Sequence, residues 1–262
     1  MTGAASALAP AKVNLTLHVT GRRADGMHLL DSVVAFADVG DVVTVAEGDG
    51  LTVGGPFAAG VPADGRNLIA RALDACGLRR AVTLSKRLPH PGGIGGGSSD
   101  AATALRLAGA APGLEVLMAL GADLPVCMAA RASRMRGVGE VVEPLALAPL
   151  DAVLVHPGID LPTGDVFRAL ASRDNPGHDA MPEGDALGWL AGQRNDMEPA
   201  ALSLAPALAG VLAAIRATGA AVARMSGSGA TCFGLYGDAA AAARAAAALD
   251  RPGWWVRACT LR

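Results

Sequence analysis

Residues 91–100 read PGGIGGGSSD, between a strand-like run, AVTLSKRL at 81–88, and a strongly helix-forming one, DAATALRLAGA from Asp100. A strand, a glycine turn and a helix in that order make an anion cradle. Glycines let successive backbone N–H groups converge on one point, and the helix start adds free N–H groups and the positive end of its dipole. Phosphate is the natural guest. A flexible linker is the plainer reading of so many glycines. Linkers, however, do not run at once into two serines, an acid and a helix, for which Ser98, Ser99 or Asp100 is the expected cap. The sequence holds no GxxxxGK[ST], its glycines miss the GxGxxG register, and HRD and DFG are absent, which excludes Walker loops, dinucleotide folds and protein kinases.

Outward from this turn, residues 12–19, KVNLTLHV, alternate so that Val13, Leu15, Leu17 and Val19 share one face and Lys12, Asn14, Thr16 and His18 the other. That pattern predicts a half-buried strand with a solvated polar face. After the turn-rich TGRRADGMH, the runs LLDSVVAF and DVVTVAE read as two strands parted by the turn DVGD. Residues 67–76 have helical spacing, with Asn67 or Asp64 as cap. A helix LEVLMAL ends at Gly121, and Pro125 restarts the chain just after Asp123. A strand, DAVLVHPG, opens at 151, and the Pro-, Gly- and Asp-rich stretch 171–188 reads as a mobile connection. The last third alternates: helices around 198–217, a strand near 221–225, the turn MSGSGAT, a strand CFGLYG, an alanine-rich helix at 238–249 and a strand WWVRACTL. The fold class expected is α/β, of the α+β type, in two domains, 1–148 and 149–262.

Length agrees, since 262 residues fall between one and two domains of ~150. With 52% hydrophobic and 18% charged residues the chain is far from disorder. A net charge of −2, with signs scattered, leaves no basic face, so neither nucleic acid nor membrane is an expected partner. Cys76, Cys127, Cys232 and Cys259 form no CxxC pair and read as buried thiols rather than zinc or redox ligands. The N-terminus lacks a signal-peptide pattern and no apolar run reaches ~18 residues, which predicts a cytoplasmic protein. Of 22 basic residues only Lys12 and Lys86 are lysines. Where arginine stands almost everywhere, a remaining lysine marks a place that wants a compact ammonium, and this weighs in favour of Lys12.

LPHPGGIGGGSSDAATAL resembles the phosphate loop of the GHMP superfamily of small-molecule kinases, which includes galactokinase, homoserine kinase and mevalonate kinase. Eight segments in order, PAKVNLTLHVTGRRADGMHLLDS, NLI, the glycine loop, GADLPV, RGVGEVVEPL, HPGIDLPTGDVF, NDME and MSGSGA, resemble the branch acting on a cytidine diphosphate-linked methylerythritol. They span nearly the whole chain. The resemblance implies a two-domain GHMP kinase fold, with a ribosomal S5 domain 2-like N-terminal domain and a ferredoxin-like C-terminal domain. It also implies the activity: phosphorylation, with ATP and Mg²⁺, of the 2-hydroxyl of the small-molecule substrate 4-diphosphocytidyl-2-C-methyl-D-erythritol, in non-mevalonate isoprenoid precursor biosynthesis. The enzyme is expected to be a monomer or weak homodimer.

By position, the resemblance makes Asp123 the catalytic base and Lys12 the orienting cation. Phosphoryl transfer to an alcohol needs an acid to accept the hydroxyl proton and cations near the transferring group. Pro89, His90, Pro91, Gly92, Gly93, Ile94, Gly95, Gly96, Gly97, Ser98 and Ser99 would hold ATP, with Asn67 on the adenosine side; no protein metal ligand is assigned. His28 would read the cytosine edge and Phe167 stack on the ring beside Thr163. Asn14 would contact substrate, and the MSGSGA turn would pack on the phosphate loop and shape it. Without the family context, Lys12 reads as a solvated strand lysine, Asp123 as a helix cap and Phe167 as core. Four departures stand out: Met27 replaces a tyrosine that completes the cytosine sandwich, Pro91 replaces a glycine and loses an N–H donor, Val34 stands where an aromatic is common, and segment 101–122 is short. A homoserine- or mevalonate-type kinase, lacking a cytosine pocket at His28 and Phe167, is one rival. A nucleotide-binding homologue impaired in catalysis is the other.

Overall fold

The computed structural model describes residues 3–179, 181 and 184–262. In chain order the elements are β1 (Ala5–Asn14), β2 (His18–Arg22), β3 (His28–Ala46), β4 (Gly50–Gly54), α1 (Leu68–Ala75), β5 (Ala81–Ser85), α2 (Gly96–Leu107), α3 (Leu114–Leu120), α4 (Leu124–Ala129), β6 (Ser133–Gly137) and β7 (Val141–Pro144). There follow β8 (Leu150–His156), α5 (Thr163–Arg168), α6 (Ala186–Ala191), α7 (Glu198–Leu204), α8 (Ala207–Ala217), β9 (Val222–Met225), β10 (Cys232–Tyr236), α9 (Ala239–Leu249) and β11 (Trp255–Leu261). The mixed α/β class agrees with the sequence pattern.

The chain packs as two compact units that interleave: Met1–Lys12, Val39–His90 and Gly95–Ala130 form the first, and Val13–Asp38, Pro91–Ile94 and Arg131–Arg262 the second. β1 and β3 each contribute residues to both units. In the first unit β1 pairs with β3, whose end runs antiparallel to β5 with Val42 opposite Ser85, and β5 takes β4 in parallel. Helix α1 packs on α2, and α2 on α4. In the second, β2 and β3 form a hairpin with His18 opposite Asp31, β6 adds to β3, and β7 to β6. An antiparallel run β9-β10-β8-β11 is covered by α8 and α9, over a core that includes Val153, Leu212, Ile215 and Leu249.

Three expectations need correction. β3 is continuous through DVGD, where a turn was expected. Gly40 is required by pairing instead, since a Cβ there would lie 2.8 Å from Cα of Pro10 on β1. The polar face of residues 12–19 is not solvated: Lys12, Asn14, Thr16 and His18 are 4, 1, 0 and 1% exposed, so both faces are buried. The stretch 171–188 is tethered within it. The Asn175 amide donates to Val19 O at 3.1 Å, His18 Nδ1 lies 3.2 Å from Pro176 O, and the His178 amide donates to Asp31 Oδ2 at 3.0 Å. Ala180, Pro182 and Glu183 of that stretch lie outside the described residues. The hairpin β6–β7 and the short helices α5 and α6 had no counterpart in the sequence reading; segments of four to six residues carry too little periodicity.

Candidate active site

In the first unit, α2 starts from Gly95, which sits in the left-handed region at φ 60° and offers no side-chain cap. The caps expected of Ser98, Ser99 or Asp100 are not made, because the helix begins before them and takes all three into its first turns. An uncapped helix start is the form that an anion can complete. Ser99 Oγ is buried without a partner among the described residues. Lys12 lies along the loop: a Cβ on Gly95 would come within 3.0 Å of Lys12 Cβ and 3.1 Å of its Cε, so glycine is needed both for φ and for the lysine stem.

Lys12 Nζ donates to Asp123 Oδ1 at 2.8 Å. The lysine side chain is buried, whereas the aspartate is 34% exposed and free to meet a substrate. Asp123 precedes α4 but makes no cap bond, which removes the plain reading of it as a helix cap. From α2, Arg106 Nη1 donates to Cys127 O at 2.6 Å and so fastens the end of the short helix that begins at Asp123. The sequence reading missed a second charged group here. Lys86 is buried between Asp41, to which it donates, and Asp100 Oδ2 at 2.8 Å. Only the scarcity of lysine hinted at it.

The loop's first residues belong to the second unit. Gly92 O accepts from the Thr231 amide at 3.2 Å and from Thr231 Oγ1, and Gly93 O accepts from Ser226 Oγ at 3.1 Å. A Cβ on Gly93 would clash with the Gly229 carbonyl oxygen and lie 2.8 Å from C and N of Gly229. The MSGSGA turn therefore packs directly on the loop. It is held in turn by Asn195 Nδ2, which donates to Met225 O and Gly227 O at 2.8 Å, and by Glu198 Oε2, which accepts the Met225 amide at 2.8 Å. The NDME motif thus holds this turn in place. Pro91 lacks an amide hydrogen, but its carbonyl lies 3.2 Å from Nε2 of His156, whose pKa is lowered chiefly by burial.

Asn14 donates its amide to Ser226 Oγ at 3.0 Å and its Nδ2 to Ser32 Oγ at 2.8 Å, while its Oδ1 is buried without a partner among the described residues. The rings of His28 and Phe167 stack, with centroids 4.5 Å apart and 18° between planes. His28 Nε2 is buried without a partner among the described residues, and burial first, then Arg22 and Arg173, lowers its pKa and favours the neutral ring. Phe167 also packs against the core. Thr163 Oγ1 lies 2.8 Å from Ser228 Oγ of the glycine turn. Met27 is 46% exposed in the hairpin turn, and Val34 is buried inside β3. Asn67 spends its side chain on the α1 cap, accepting from the Ile69 amide at 2.9 Å, and on Pro62 O at 2.7 Å. Pro89 and Ile94 are buried, while His90 and Gly97 are exposed.

The comparisons with known proteins agree with one another. Residues 177–253 match the family model described as GHMP kinases C terminal. The chain is 55% identical to the 4-diphosphocytidyl-2-C-methyl-D-erythritol kinase of Paracoccus denitrificans, over 97% of this chain and 95% of that one. It is 53% identical to the enzyme of the same name from Dinoroseobacter shibae, over 97% and 94%. A crystal structure of 4-(cytidine 5'-diphospho)-2C-methyl-D-erythritol kinase matches with a TM-score of 0.81 at 37% identity, covering 98% of this chain and 99% of that one. Homoserine kinase from Cytophaga hutchinsonii, 19% identical with a TM-score of 0.67 over 100% and 96%, shares the fold. The chain has the GHMP kinase fold and belongs to the 4-diphosphocytidyl-2-C-methyl-D-erythritol kinase family.

Proposed function

We propose that this chain transfers the γ-phosphoryl group of ATP to the 2-hydroxyl of 4-diphosphocytidyl-2-C-methyl-D-erythritol, the substrate named for its relatives. The observation that carries the mechanism is the Lys12–Asp123 pair, 2.8 Å apart, with Lys12 lying along the glycine loop. Asp123 accepts the hydroxyl proton as the oxygen attacks, and Lys12 holds the carboxylate in place while offsetting charge on the transferring group. The uncapped start of α2 and the glycine amides receive the phosphates. An intact pair in this arrangement favours an active kinase over an impaired homologue.

Base recognition falls to His28 and Phe167, with Thr163, Asn14 and Met27 as further substrate contacts. A neutral imidazole with a free ring nitrogen can take one hydrogen bond from or give one to a base edge, and Phe167 supplies a flat apolar face. These two residues favour a cytidine-linked substrate over homoserine or mevalonate. Mg²⁺ would arrive with ATP, as this ion commonly does, held mainly by phosphate oxygens and water with few ligands from the chain. The orphaned Ser99 hydroxyl fits that need. Bound there, the ion would neutralise phosphate charge.

No described helix is long and apolar enough to cross a membrane. We place the enzyme in the cytoplasm as a monomer or weak homodimer, the latter to be read by light scattering. A panel of ATP-dependent assays with the cytidine-linked substrate, homoserine and mevalonate tests the substrate. Turnover with the first alone is expected; turnover with either of the others and none with the first would overturn it.

A further inference from the structure

The two lysines of this chain lie against successive glycines of the phosphate loop. Lys12 runs along Gly95, and a Cβ on Gly96 would come within 3.0 Å of Lys86 Nζ. Lys12 has a role in transfer; Lys86 has none in the mechanism above. Its side chain is 2% exposed, and its ammonium joins three separate pieces of the first unit. Asp41, on β3, accepts from Lys86 through Oδ2 and through Oδ1 takes the amides of Arg87 and of Leu88, the latter at 2.8 Å. Asp100, one turn into α2, accepts from Lys86 through Oδ2 at 2.8 Å, and its Oδ1 is buried without a partner among the described residues. The lysine backbone is pinned as well, its amide donating to Gly54 O at 2.7 Å and its carbonyl accepting from Phe57 at 3.1 Å.

Burying three charged groups where an apolar cluster would pack is costly, and with two carboxylates to one ammonium the balance is not even neutral when all are charged. A chain that needed only stability here would not choose this group. What it gains is direction. A fixed ammonium fastens the first turns of α2, and with them the amides of Gly96, Gly97 and Ser98, to the rigid strand β3. The end of the Lys86 side chain makes a Cβ at Gly96 a tight fit.

We propose that Lys86, through Asp41 and Asp100, is a positioning residue that sets the orientation of the α2 start, so that the loop is preorganised for the triphosphate of ATP. This rests on the loop being the ATP site. A helix start left to rock must be ordered when the nucleotide binds, which weakens ATP binding without touching the residues that recognise the base or take the proton.

The test cuts the tether while leaving a neutral Lys86–Asp41 pair. Asp100→Leu should raise KM for ATP at least tenfold, with KM for the cytidine-linked substrate within about twofold and the circular dichroism spectrum unchanged. Asp100→Asn keeps an oxygen for Lys86 and should stay within about threefold of the parent. Should Asp100→Leu fail to fold, Asp100→Thr, too short to accept from Lys86, carries the same expectation. An ATP KM within twofold of the parent in a folded Leu or Thr variant overturns the proposal, and so does an Asn variant as impaired as the Leu one. Failure of the parent itself to turn over ATP would instead strike the assignment of the loop.

Discussion

In the proposed mechanism Asp123 and Lys12 divide one task, and a single-group change separates their contributions. Asp123→Asn keeps the shape and a hydrogen-bond acceptor for Lys12 but cannot take a proton, so kcat should fall by ~10²–10⁴ with KM for ATP little changed and thermal stability retained. Steady-state kinetics beside a melting curve checks this; an unchanged kcat contradicts the role of the base. Phe167→Ala removes the flat partner of His28 and should raise KM for the cytidine-linked substrate about tenfold, as a lost base–aromatic stack of ~1–3 kcal/mol requires, while KM for ATP stays put. Both residues stand out as candidates in the sequence because each sits in a short, local motif whose chemistry suits its type. The burial of Lys12, Asn14, Thr16 and His18 was not legible. Strict alternation says which residues share a face, and only the partners brought in from distant sequence decide whether that face meets water.

At the scale of elements, the loop and the MSGSGA turn press backbone to backbone. Gly93→Ala would drive a methyl group into the Gly229 backbone at φ 67°, a conformation already strained for alanine. We expect a lowered melting temperature and at least tenfold loss of kcat/KM; an alanine variant with parental values would show that the contact has slack. The sequence placed both glycine turns, strand order aside, because glycine spacing is local. It misread DVGD as a turn for the same reason. Asp41 looks like a turn residue until Lys86, Arg87 and Leu88, some 45 positions on, claim its carboxylate.

For the whole molecule, two buried clusters pull stability in opposite directions with pH. His18 is pushed down to about 4, by burial first and then by His178 and Arg194, from ~6.5 in the unfolded chain. Burial opposes the charge of Asp31, but Arg134, at 2.7 and 2.8 Å, and His178 outweigh it and hold its pKa well below the usual carboxylate range. Both depressions give stability that is lost as pH falls, for His18 between about 6.5 and 4 and for Asp31 below about 4. Asp100 is the reverse. Burial raises it to about 7, so its ionisation weakens the fold as pH climbs from about 4 through 7. Urea midpoints across pH 4 to 7 should therefore fall more steeply toward acid in Asp100→Asn than in the parent, and less steeply in His18→Gln. Parallel curves for all three would contradict this account. None of this was visible in the sequence, since each shift depends on groups more than ten positions away.

The central claim is that this chain phosphorylates 4-diphosphocytidyl-2-C-methyl-D-erythritol with Asp123 as base. Its most direct test is ADP release by the purified protein supplied with ATP, Mg²⁺ and that substrate, run beside Asp123→Asn. The account predicts one ADP per phosphorylated substrate in the parent and a rate lower by two orders or more in the variant. ADP release no faster than in a control without substrate, or equal rates in parent and variant, would contradict it.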